Sequence, residues 1–202
     1  MRQGGRFATN PARRTTADGM PRPLDHHRLD LRPPPGLTLV LGGARSGKSR
    51  FAESLVLESS LAPVYVATAE PLDEEMAARI AEHRARRGDG WRTVEEPVDL
   101  PGALARECGP ERAVLVDCLT LWLSNLMTGR RDVVAEGARL IDAIGGLRGA
   151  LVLVSNEVGQ GVVPDNPMAR AFIDHAGRLH QALAARADAV VLLVAGLPQR
   201  LK

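Results

Sequence analysis

Beyond residue 36 the chain alternates short apolar runs with longer amphipathic segments. The runs are Leu37–Leu41, Val64–Ala67, Ala113–Val116, Ala150–Val154 and Ala189–Ala195, and Trp91–Val94 adds a shorter one. The longer runs are almost continuously apolar, as in strands covered on both faces of a parallel sheet, whereas a half-exposed strand would alternate. Helical patterns fall between them at Ser49–Ser59, Asp73–Arg87, Leu119–Met127, Val133–Ile144 and Pro167–Arg186. The Asp73–Arg87 segment opens on Asp73, Glu74 and Glu75 and closes on Arg84, Arg86 and Arg87, charges that suit the two ends of a helix dipole. Strands alternating with helices predict βαβ units and a doubly wound α/β domain over residues 37–202. Residues 1–36 have no such pattern. They are rich in Arg and Pro and are expected to form a disordered extension, read either as a presequence or nucleic-acid arm or as a dispensable segment.

The first apolar run leads into Gly42-Gly43-Ala44-Arg45-Ser46-Gly47-Lys48-Ser49, which fits G-x-x-x-x-G-K-[ST] between a strand and a helix. The spacing has a physical basis. Glycine lets the backbone come close to phosphate oxygens, and the loop N–H groups converge at a helix N-terminus. Lys48 then supplies a charge to the β/γ-phosphates, and the Ser49 hydroxyl is a ligand for Mg²⁺. Lysine occurs at only two positions, Lys48 and Lys202, so a chance match is improbable. The run ending Val116-Asp117 places a carboxylate at the carboxyl end of another strand. It suits a second contact to Mg²⁺, a helix N-cap, or both.

Five histidines are present. His26 and His27 lie in the extension, while His175 and His180 fall within the last helix as surface or packing residues. His83 shares a helix face with Met76 and Ile80 and sits beside Arg84, Arg86 and Arg87. By itself the pattern allows a half-buried packing histidine or a nucleophile that forms a phosphoramidate. Asn156 and Glu157 follow the fourth long run, ahead of Gly159 and Gly161. They mark a loop that contacts substrate or a neighbouring subunit, or simply a well-capped turn.

Charge and composition narrow the possible functions. Residues 1–36 hold seven Arg against three Asp, a balance of +4, so the remaining chain carries −2 of the overall +2. A body of that charge, with 3% aromatics, does not suit nucleic-acid binding. No apolar stretch approaches the 18 residues or so that a membrane span needs. Cys108 and Cys118 make neither a disulfide framework nor a CxxC zinc site, so a reduced, cytoplasmic setting is expected.

Taken together, several motifs resemble the bifunctional adenosylcobinamide kinase/adenosylcobinamide-phosphate guanylyltransferases of cobalamin biosynthesis. They are Gly42–Arg50, Tyr65-Val66-Ala67-Thr68, Glu75–Ile80 with His83-Arg84, Trp91-Arg92-Thr93-x-Glu95, and Ser155–Gly159 with Gly161–Pro164. The resemblance spans about residues 37–202. It implies a RecA-like P-loop fold, a homotrimer and two reactions. In the first, ATP or GTP phosphorylates the hydroxyl of the aminopropanol arm of adenosylcobinamide. In the second, GTP guanylylates a histidine, which passes GMP to the corrinoid phosphate. The guanylylated histidine falls on His83. Nucleotide contacts fall on Gly42–Ser49, on Thr68, Ala69 and Glu70, on Arg84, Ala85, Arg86 and Arg87, and on Glu95 and Asp117. Some relatives carry Glu at the position of Asp117, and some carry a second His at that of Glu82. A single-activity P-loop kinase would leave His83 idle, and a regulatory nucleotide-binding module would bind GTP without turnover.

Overall fold

A computed structural model describes residues 36–202. All but the last residue of the predicted extension lies outside that range. Strands β1 (Leu37–Gly42), β2 (Ala62–Ala67), β3 (Arg92–Glu95), β4 (Arg112–Asp117), β5 (Ala150–Asn156), β6 (Ala189–Val194) and β7 (Leu197–Arg200) form one sheet in the order β3-β2-β4-β5-β1-β6-β7. All neighbours are parallel except β6 and β7. The helices are α1 (Lys48–Glu58), α2 (Glu74–Arg87), α3 (Leu100–Glu107), α4 (Leu119–Thr128), α5 (Val133–Ile144) and α6 (Pro167–Arg186). This is a doubly wound α/β architecture, with the glycine-rich loop between β1 and α1 at the carboxyl edge of the sheet.

The sheet is covered on both faces, which explains its nearly unbroken apolar strands. Leu39, Leu41, Val114, Val116 and Leu153 join one core cluster with Leu104, Trp122, Leu140 and Leu183 from α3, α4, α5 and α6. The other face meets α1, which buries Phe51, Ala52, Leu55 and Val56. Trp122 is fully buried, and its indole N–H donates to the Val98 carbonyl at 2.8 Å. Helix α2 differs from the rest: none of its residues is buried.

Register brings the chemistry to one edge. Gly42 lies opposite Asn156, Ala67 opposite both Asp117 and Glu95, and Asp117 opposite Val154. The P-loop, Thr68, Glu95, Asp117 and Glu157 therefore all follow or close strands at their carboxyl ends, where open α/β sheets bind ligands.

Two elements have no signal in the apolar pattern. Helix α3 carries Pro101 and Gly102 in its first turn, and starts because Asp99 caps the Gly102 N–H. Strand β7 is a short polar edge made by a two-residue hairpin turn, Ala195-Gly196, with φ of 51° and 79°. Paired positive φ values give the turn whose twist matches a β-hairpin.

Candidate active site

The first turn of α1 opens directly from β1 through the P-loop. Gly47, at φ 93°, precedes Lys48 in a left-handed conformation that disfavours any side chain. Gly42 is required for a different reason: a Cβ there would lie 2.5 Å from Ser46 Oγ and 2.8 Å from the Leu193 carbonyl oxygen. Gly42→Ala should cost about 1–3 kcal/mol by overpacking. A thermal melt should show a Tm lower by roughly 2–12 °C, with weaker nucleotide binding; an unchanged melt would contradict this close approach.

The loop is braced from β6 and β7. The Gly196 N–H donates to the Ser46 carbonyl at 2.9 Å, and a Cβ on Gly47 would touch Gly196 Cα at 3.4 Å. Lys48 is buried, with Nζ donating to the Gly43 carbonyl at 3.1 Å. Burial lowers its pKa, while nearby Cys118 and Asp117 raise it. Ser49 is half-buried behind it, and Gly43, Ala44 and Arg45 are exposed.

Asp117 is the hub of a second group. Tyr65 Oη donates to its Oδ2 at 3.2 Å, and His83 Nδ1 lies 3.9 Å from the same oxygen. The Arg87 guanidinium stacks 3.4 Å from the Tyr65 ring centroid, and Trp91 meets that ring edge-on at 6.2 Å. Burial, then the charge of Asp117, raise the Tyr65 pKa, so the phenol stays protonated as a donor. Arg86 reaches back to α1, where Nε and Nη2 donate to the Glu53 carboxylate at 3.2 and 2.7 Å. Its Nη2 also lies 3.5 Å from His83 Nδ1. These contacts hold a helix that contributes no buried residue to the core.

The structure therefore brings together His83, Arg86, Arg87 and Asp117, with Lys48 within electrostatic range of Asp117. Arg84, Ala85 and Glu95 are exposed at this edge. Thr68 is buried, and its hydroxyl both donates to the Cys118 carbonyl at 2.8 Å and accepts from the Cys118 N–H at 2.9 Å. Its main chain is engaged as well: the N–H donates to the Asp117 carbonyl at 3.4 Å, and the carbonyl accepts from Asn125 Nδ2 at 2.8 Å. Ala69 and Glu70 follow, half-buried. His180 is a packing residue, with Nε2 2.7 Å from Ser155 Oγ. Burial lowers its pKa, against the pull of Glu157.

Sequence reasoning missed Tyr65 as the partner of Asp117 and Glu53 as the anchor of Arg86. Among the described residues, two buried polar side-chain atoms have no partner, Ser46 Oγ in the P-loop and Arg87 Nη1 beside Tyr65. An unsatisfied buried polar atom costs about 1–3 kcal/mol. Phosphate oxygens are suitable acceptors for both.

Known proteins resemble this chain along most of its length. The chain is 54% identical over 166 residues to the bifunctional adenosylcobalamin biosynthesis protein CobP of Pseudomonas aeruginosa, covering 81% of this chain and 96% of that one. It is 42% identical over 181 residues to the bifunctional adenosylcobalamin biosynthesis protein CobU of Escherichia coli, covering 82% and 99%. Among solved structures, the RadB recombinase has a TM-score of 0.48 at 20% identity, covering 78% of this chain and 74% of that one. The family described as cobinamide kinase / cobinamide phosphate guanyltransferase matches residues 38–201. With these matches over nearly all of its described residues, the chain belongs to the cobinamide kinase / cobinamide phosphate guanyltransferase family.

Proposed function

We propose that this chain phosphorylates the aminopropanol hydroxyl of adenosylcobinamide with ATP or GTP. It then transfers GMP from GTP through His83 to the resulting phosphate, yielding adenosylcobinamide-GDP and pyrophosphate. The observation that carries this reading is the approach of the His83 imidazole to Asp117, 3.9 Å apart, within the arginine cluster at the P-loop edge. A kinase alone has no use for that ring.

In the guanylyl step, the lone pair of His83 Nε2 attacks the α-phosphorus. An N–P bond forms, and the bond to pyrophosphate breaks with its electron pair leaving on oxygen. In the Nδ1–H tautomer the ring leaves Nε2 free for attack; Nδ1, 3.9 Å from Asp117 Oδ2, closes on that carboxylate and gives up the Arg86 Nη2 contact at 3.5 Å, and its proton passes to the carboxylate as the adduct forms. The P-loop amides and Lys48 neutralise the departing pyrophosphate, and Arg87 Nη1 gains the acceptor it lacks. In the second half the phosphate of the corrinoid attacks the same phosphorus and displaces His83. Holding both partners in line is the protein's main contribution.

The donor set fits Mg²⁺. Ser49 offers a hydroxyl and Asp117 a carboxylate oxygen not taken by Tyr65 and His83, both hard ligands. Among the described residues no cluster of three or more His, Cys, Asp or Glu could hold a metal by itself. That agrees with an ion ligated largely by phosphates and water. Bound there, Mg²⁺ would supply charge neutralisation of the triphosphate.

Incubation with α-labelled GTP tests the reading. The expected result is a protein adduct that is acid-labile and base-stable, discharged by cobinamide phosphate. No adduct, with γ-phosphoryl transfer intact, would reduce the chain to a kinase; GTP binding without either transfer would make it a regulatory module. The homotrimer belongs to the same reading, and a solution mass about three times the 21.6 kDa chain is expected. No helix among the described residues is long and apolar enough to cross a membrane. A cytoplasmic site of action suits the free thiols of Cys108 and Cys118.

A further inference from the structure

Beside the P-loop lies a cavity of about 450 Å³. Gly43, Arg45 and Ser46 form one wall, Leu193 and Ala195 at the end of β6 another, and Glu157 with Gln160 the third. Its size suits a small-molecule moiety. Glu157 is held tightly. Its N–H donates to the Gly42 carbonyl at 3.0 Å, which fixes it beside the first residue of the P-loop. Its Oε1 accepts from the Gly159 N–H at 2.7 Å, and Oε2 makes no hydrogen bond or ion pair among the described residues. Gly43, Arg45 and Ser46 also belong to the phosphate cradle, so the cavity adjoins the triphosphate site, but the nucleotide chemistry derived above gives Glu157 no role.

A carboxylate beside a phosphate cradle is unfavourable for the phosphates and needs a reason. An acceptor alcohol supplies one. From the juxtaposition of Glu157 with the P-loop across this cavity, we infer that the cavity receives the hydroxyl-bearing aminopropanol end of the phosphoryl acceptor and that Glu157 is the base for its hydroxyl. This rests on the kinase half of the function proposed above. As the hydroxyl oxygen forms its bond to the γ-phosphorus, its proton passes to Glu157 Oε2. The bond from the γ-phosphorus to the β,γ-bridging oxygen breaks, and the nucleoside diphosphate leaves with that electron pair. The two transfers then share one triphosphate cradle, the alcohol entering beside β6 and the imidazole standing beside Asp117 at the end of β4. Gln160 and the Leu193 main chain give the alcohol polar neighbours.

The test is Glu157→Gln in the full-length protein, assayed with adenosylcobinamide and ATP, and separately for adduct formation with α-labelled GTP. Glutamine keeps an oxygen for the Gly159 N–H but takes no proton. The kcat for phosphorylation should fall roughly 10²–10⁴-fold, the span typical of a lost general base. The KM for ATP and the yield of His83 adduct should stay within a few-fold. Glu157→Asp, still a carboxylate but shorter, should retain more rate than Glu157→Gln. Undiminished phosphorylation in Glu157→Gln overturns the inference while leaving the kinase reading intact. Equal loss of phosphorylation and adduct, or a raised KM for nucleotide in both, overturns it in favour of a nucleoside pocket or a purely structural carboxylate. Absence of phosphoryl transfer by the unaltered protein overturns the kinase reading and this inference together.

Discussion

Lys48→Ala should abolish both transfers at once, with phosphorylation and guanylylation each falling at least roughly 10²–10³-fold, the usual loss for one preorganised charge-stabilising group. Lys48 is buried at the start of α1, where its ammonium donates to the Gly43 carbonyl at 3.1 Å. Burial disfavours that charge, so a triphosphate that neutralises it gains more than it would from a solvated lysine. Both proposed reactions develop negative charge on a leaving diphosphate or pyrophosphate held in the same loop. Assaying one preparation for both activities, beside a thermal melt, checks the expectation. Retention of either activity at full rate would mean that the two reactions use different cradles.

His83→Ala should split the activities. Adduct formation with GTP should fall to background, while phosphorylation of the corrinoid persists at a substantial fraction of the normal rate. The fold gives this variant a clean interpretation. His83 is only half-buried and stands on a helix with no buried residue, so truncation removes little packing. Its partners Asp117 and Arg86 keep other contacts, to Tyr65 and Glu53. A stability change below about 1 kcal/mol is expected, as for surface substitutions. Equal loss of both activities without unfolding would show that the ring organises the site and carries no nucleotide.

How much of this was legible in the sequence depended on the range of the interaction. The strands were visible because a sheet covered on both faces needs apolar residues at consecutive positions, and α5 and α6 were bounded where the structure has them. The P-loop was visible because its chemistry is local. Helix α3 was not, since Pro101 and Gly102 mask it and a side-chain cap from Asp99 starts it. Nor was β7, whose four residues are set by the preceding turn. Within the site, the helix period placed His83 beside the arginines but could not show what lay opposite. Tyr65 pairs with Asp117 across 52 positions, and Glu53 with Arg86 across 33. No short window contains both members of either pair.

The hairpin brace described above also bears on the order in which the chain is made. Ribosomes deliver the P-loop well before the β6–β7 turn, and a domain completes its folding only when its last elements arrive. Since Ser46 and Gly42 are fixed against Gly196 and Leu193, the grip on nucleotide is finished only when this late segment docks. A nascent polypeptide thus stays empty-handed until that turn has left the ribosome.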